Sequence, residues 1–97
     1  MTHAERLARI RLIRTPHVGP VSWHQLMQRC GSGEAALEAL PDLALRGGAG
    51  KPRIASADVA ERELARVAEL GARHVFSDET DYSPLLREVE GAPPAII

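Results

Sequence analysis

At 97 residues, with 12 Lys+Arg against 13 Asp+Glu and a formal charge of −1, the chain fits one small domain near the lower limit of independent stability. Its 44% apolar content excludes a disordered tail, no apolar run nears the ~20 residues of a membrane span, and the lone Cys30 excludes an internal disulfide framework. The Arg-rich amphipathic start is unlike an apolar signal segment and points to the cytoplasm.

The first helix is predicted over about Ala4 to Arg14, with Leu7, Ile10 and Ile13 on one apolar arc. Arg6, Arg9, Arg11 and Arg14 form a basic run in the linear sequence, but helical rotation turns Arg9 and Arg11 roughly 160° apart. Arg6 and Arg14 flank the arc, where their stems can lie over the edge of a core. Thr15 to Pro20 breaks the helix, since Pro16 disfavours helical geometry at Thr15 and Pro20 suits a new first turn.

The second helix is predicted from Pro20 to Cys30. Trp23, Leu26, Met27 and Cys30 make its core stripe, Ser22, Gln25 and Arg29 lie opposite, and Gly31 ends it in a left-handed cap. Ser32 caps a third helix, Gly33 to Leu40, burying Leu37 and Leu40, and Pro41 opens a separate short turn to Leu45. The glycines at 47, 48 and 50 read as a connector. They are no phosphate loop, because Pro52 follows Gly50-Lys51 and no strand precedes them. Ser56 caps a fourth helix, Ala57 to Leu70, with Ala60, Leu64, Val67 and Ala68 buried and Asp58/Arg62, Glu63/Arg66 and Glu69/Arg73 as solvated pairs.

After Gly71 the pattern changes. Arg73 to Phe76 reads as a strand, Asp78 to Asp81 as a polar turn, Pro84 to Val89 as a short helix and Ala95 to Ile97 as a second strand. Strand–helix–strand order implies the opening of an α/β unit that continues beyond Ile97. Charge divides with the chain: residues 1–53 hold eight basic and four acidic groups, and residues 54–97 hold four and nine.

No catalytic constellation emerges, and neither an enzyme nor a cofactor is expected. Asp78, Glu79 and Asp81 lack the ligand alternation of a calcium loop, and His3, His17, His24 and His74 lack zinc spacing. Ser22 and His24 point apart on their helix, and Cys30 lies on the apolar stripe. One motif has a nucleic-acid mechanism. A Gly-hydrophobe-Gly turn between two helices offers backbone N–H groups to a phosphate, and His17-Val18-Gly19-Pro20 supplies the hydrophobe and the second glycine. The other reading is a structural hairpin, with Val18 plugging the core between the helices.

Three early runs, Leu12 to Pro20, Leu26 to Ser32 and Ala35 to Pro41, are followed in order by Leu70-Gly71-Ala72, Asp81-Tyr82-Ser83-Pro84-Leu85-Leu86 and Ala92-Pro93-Pro94. Together they resemble the DNA-processing protein A (DprA/Smf) family over nearly the whole chain. The departures are His17, where the family often has Gly, and Ser83, where it has Pro after the tyrosine.

The resemblance implies a mainly α fold: a SAM-like, helix–hairpin–helix-like domain over residues 1–70, then the start of a Rossmann-like α/β domain over 71–97. It also implies a parent protein that binds single-stranded DNA and loads the RecA recombinase during natural transformation, with this part as an accessory helical module. The DNA-contact residues expected on this view are Arg14, Gly19, Ser22, Gln25 and Arg29. The alternative is a protein-interaction or homodimer module without DNA contact, using Val75, Phe76, Leu85, Ile96 and Ile97 as an exposed patch.

Overall fold

Helix α1 (His3–Arg14) is the element against which the other helices pack. The computed structural model describes residues 1–16, 18–46, 53–89 and 91–97, so His17 of the expected turn and the connector at 47–52 lie outside the described residues. Thr2 starts α1 by accepting a hydrogen bond from the Glu5 amide at 3.1 Å. At the other end the Thr15 hydroxyl donates to the Arg11 carbonyl at 2.6 Å. Helices α2 (Pro20–Cys30), α3 (Gly33–Arg46) and α4 (Ala57–Glu69) all meet α1; α2 also meets α3, and among the described residues α2 and α4 do not pack together.

The core gathers Ile10, Leu12, Trp23, Ala36, Leu40, Ala60 and Phe76. Leu12 is fully buried beside Ile10, whereas Leu7 and Ile13 only edge the cluster. With α3 on one side and α4 on the other, the buried face of α1 is wider than a three-residue arc. The stripe expected on α2 holds, with Trp23 at its centre and Leu26, Met27 and Cys30 packed around it. Ser56 caps α4 as expected by accepting from the Val59 amide at 3.2 Å, but Ala68 is exposed.

One expectation needs correction. Pro41 does not restart a helix: α3 runs through it to Arg46, with Pro41 on the exposed side of the helix. The strand–helix–strand order expected after Gly71 is present: β1 (Val75–Phe76) and β2 (Ala95–Ile96) pair antiparallel, with Val75 opposite Ile96 and Phe76 opposite Ala95. Between them lies α5 (Pro84–Arg87), a single turn capped by Ser83, which accepts from the Leu86 amide at 3.3 Å. Tyr82 Oη donates to the Pro93 carbonyl at 2.7 Å and Arg87 Nε to the Ser77 carbonyl at 2.8 Å. These bonds fold the connection back beside the outgoing strand, so the chain returns antiparallel. Packing is continuous across residue 70, since Phe76 sits in the helical core with no exposed surface.

Gly33 marks the tightest approach of α3 to α1. A Cβ there would stand 2.8 Å from Arg9 Cγ and 3.2 Å from the Arg9 backbone nitrogen. Gly33→Ala is therefore expected to destabilise the fold by about 1–3 kcal/mol, although Ala is the better helix former. A urea midpoint equal to or above that of the parent would contradict this packing.

Candidate nucleic-acid interface

Helix α2 begins at Gly19, whose extended backbone (φ −87°, ψ −179°) offers no side chain to cap the first turn. Pro20 has no N–H to orphan, the first turn holds no acidic residue, and the amides of Val21 and Ser22 precede the first helical acceptor. The end of α2 thus retains donors and the positive pole of the helix dipole. Gln25 and Arg29 are exposed and Ser22 half-buried, at the one-face spacing read from the sequence. Gly19 to Arg29 spans about 15 Å along the axis. Arg29 has no ion-pair partner among the described residues. Four of the five expected contact residues therefore fall together, Ser22, Gln25 and Arg29 on α2 and Gly19 at its N-cap.

The fifth, Arg14, is turned toward α4. Its Nε donates to Glu63 Oε1 at 2.6 Å and its Nη2 to Glu63 Oε2 at 3.1 Å. Glu63 is no solvated partner of Arg66, which pairs instead with Glu69 at 3.5 Å. Its Oε2 also accepts from His74 Nε2 at 2.7 Å. An ionised carboxylate only accepts, so this contact assigns the proton of His74 to Nε2. The His74 ring is buried and stacks near Phe76, and its Nδ1 has no partner among the described residues.

The remaining arginines of α1 are engaged within the molecule. Arg6 donates to the His74 carbonyl at 3.2 Å and to Glu79 Oε2 at 3.0 Å. Arg11 Nε donates to the Ala55 carbonyl at 2.9 Å. Arg9, only 6% exposed, donates to Glu5 at 2.7 Å and to Asp78 at 2.6 Å, with its guanidinium carbon 5.3 Å from the centre of the Phe76 ring. Glu5 Oε2 accepts as well from the Gly33 amide at 2.6 Å, and Oε1 from the Glu34 amide at 3.2 Å. One carboxylate thus holds Arg9 and satisfies the start of α3.

The acidic turn is an arginine-binding element: Asp78 meets Arg9, Glu79 meets Arg6, and Asp81 meets Arg73. Among the described residues no group of three or more His, Cys, Asp or Glu side chains is arranged to hold a metal ion. The expected apolar patch is divided. Phe76 is core and cannot serve as a surface contact, Val75 and Ile96 are half-buried, and Leu85 and Ile97 are 82% and 70% exposed. The Glu5–Arg9 pair has the i,i+4 spacing, but the contacts of Glu5 with Gly33 and Glu34, and of Glu63 with Arg14, join residues 28 to 49 positions apart and have no local sign in the sequence. No described helix is long and apolar enough to cross a membrane.

Residues 3–65 match the family described as the DprA-like N-terminal HHH domain, which places α1, α2, α3 and most of α4 within the matched region. No curated protein matches the chain.

Burial by itself would raise the Glu5 and Glu63 carboxyls, but donors outweigh it: Arg9, Gly33 and Glu34 for Glu5, and Arg14 and His74 for Glu63. Both lie below the ordinary glutamate value of 4.5. The Arg9 hydrogen bond likewise holds Asp78 below 3.8. A carboxyl that titrates lower when folded stabilises the fold fully above its unfolded value and loses that contribution as pH falls through the folded one. Urea midpoints are therefore expected to be flat with respect to these groups above about pH 5 and to decline below it, and Asp78→Asn to flatten the decline. An Asp78→Asn profile that fell as steeply as the parent's would contradict the pairing with Arg9.

Proposed function

Because this chain belongs to the family of DprA-like N-terminal HHH domains, we propose that it is a DNA-processing module contacting single-stranded DNA along the α2 face. One observation carries this reading: α2 opens on a glycine without a side-chain cap and with no acid in its first turn, and ends near Arg29, which has no ion-pair partner among the described residues. Backbone donors at one end and a guanidinium at the other can each meet a phosphate, with the Ser22 hydroxyl and the Gln25 amide between them. None of these groups reads a base pair in a groove, so sequence-independent binding follows.

In this reading the module assists a parent that loads the RecA recombinase on single-stranded DNA during transformation and recombination. The tail, residues 71–97, leads toward the family's Rossmann-like domain while anchored on α1 by its acidic turn. Loading of RecA would draw on that larger assembly, with this module supplying a secondary phosphate contact.

A second reading rests on Leu85, within α5, and Val89, two residues beyond its end, which are 82% and 55% exposed. They would form the centre of a self-association surface together with Ile97. Light scattering across a concentration series separates the two readings: association abolished by Leu85→Ser supports self-association, and a monomer at all concentrations removes it.

Titration of a fluorescent oligonucleotide at low salt tests the DNA reading. Binding is expected to be indifferent to sequence, with a log–log salt slope of about −1.4 to −2.1 for two or three phosphate contacts. Arg29→Gln should weaken it about threefold and make the slope shallower. Absence of binding at the lowest salt would overturn direct DNA contact.

A further inference from the structure

The four arginines of α1 differ in how far they can be drawn away from their partners. Arg9 is buried between two carboxylates and the Phe76 ring, and Arg6 holds the strand that carries Phe76. Neither can leave without opening the core. Among the described residues Arg11 has a single neutral carbonyl acceptor. Arg14 has a half-exposed side chain, 50%, and stands five residues ahead of Gly19, yet Glu63 holds it on the α4 side.

We propose that Glu63 is an internal competitor for phosphate, withholding Arg14 from the α2 face until nucleic acid displaces it. This rests on the DNA reading above and adds to it a control on the site. Glu63 presents two oxygens to Nε and Nη2 of Arg14, the same fork that a phosphate would occupy. When Arg14 leaves, Glu63 keeps the hydrogen bond from the buried His74, so its oxygen is not left without a donor. Arg14, already in contact with water, passes from one anion to another with little desolvation. The exchange is therefore close to balanced, which a competitor requires. DNA phosphates can displace the carboxylate when several act together, and isolated anions compete poorly.

The test compares oligonucleotide affinity in Glu63→Gln, Glu61→Gln and Arg14→Gln/Glu63→Gln. Gln keeps an oxygen for His74 but removes the charge that holds Arg14. Glu63→Gln is expected to bind about threefold tighter, with a salt slope steeper by about 0.7 for one added phosphate contact. Glu61→Gln removes an equal charge from α4 at the His3 contact and is expected to leave affinity near that of the parent. The double variant should lose the gain. A gain of equal size in Glu61→Gln, or one that survives Arg14→Gln, overturns the proposal in favour of a general field effect.

NMR of arginine side chains provides a readout on the unaltered protein. The Nε–H signal of Arg14 should shift as oligonucleotide is added while those of Arg6 and Arg9 stay in place. An unmoved Arg14 signal at saturation overturns the proposal and leaves the α2 reading standing. Absence of binding by parent and variants alike removes both.

Discussion

The guanidinium of Arg9 is taken out of water on the inner side of α1, where Glu5 and Asp78 meet it at 2.7 and 2.6 Å. Burying such a charge is costly unless its donors are satisfied, and removing one partner from a buried pair costs about 3–5 kcal/mol. The partners lie on different elements. Glu5 is one turn earlier on α1 and caps the start of α3 through the Gly33 and Glu34 amides, while Asp78 belongs to the tail. Phe76, beneath the guanidinium, joins the helical core. The position of α3 and that of the tail are thus both tied to one side chain of α1.

That arrangement changes the meaning of the charge asymmetry. Basic groups concentrated in the first half of a chain invite a reading as a nucleic-acid surface. Here Arg6 and Arg9 face Glu79 and Asp78, and Arg14 faces Glu63, so acids of the second half answer bases of the first within the fold. The basic run of α1 is mainly internal adhesion. The less charged α2 attracts an anion through backbone donors and the single guanidinium of Arg29. A mild field of this kind suits a helper contact better than a primary binding site.

The parts that the sequence made legible are those with local causes. Pro20 and Gly31 bound α2, Ser32 and Ser56 cap the next two long helices, and the spacing from Trp23 to Cys30 points to the buried side of α2. The α2 face of Ser22, Gln25 and Arg29 follows from the same periodicity. Arg9 was hidden because its tail partner lies 69 residues away, and an arginine among apolar neighbours reads as a snorkelling edge residue when that partner is unknown. Glu63 was hidden for the same reason, its i,i+3 neighbour Arg66 being the nearer partner on paper. Pro41 misled in the opposite direction, since a strong local breaker is tolerated where its face of the helix meets water.

Along α1 the same residue type therefore serves two ends, and solvent decides between them. At Arg9 and Glu5, 7% and 12% exposed, separating the pair would leave charges stranded in a poor dielectric, so that contact acts as a fixed strut, with Asp78 meeting the same guanidinium from the solvent side. At Arg14, half-exposed, water can solvate the guanidinium during exchange while His74 stays on Glu63, and the pair contributes little net stability. A pair with little net stability is one that an external anion can replace. His74 strengthens the distinction, because it anchors Glu63 from the buried side and lets the arginine be the member that moves. The gradient from Arg9 to Arg14 turns a run of like charges into a structural end and an exchangeable end, and the exchangeable end is the one that leads into the turn before α2.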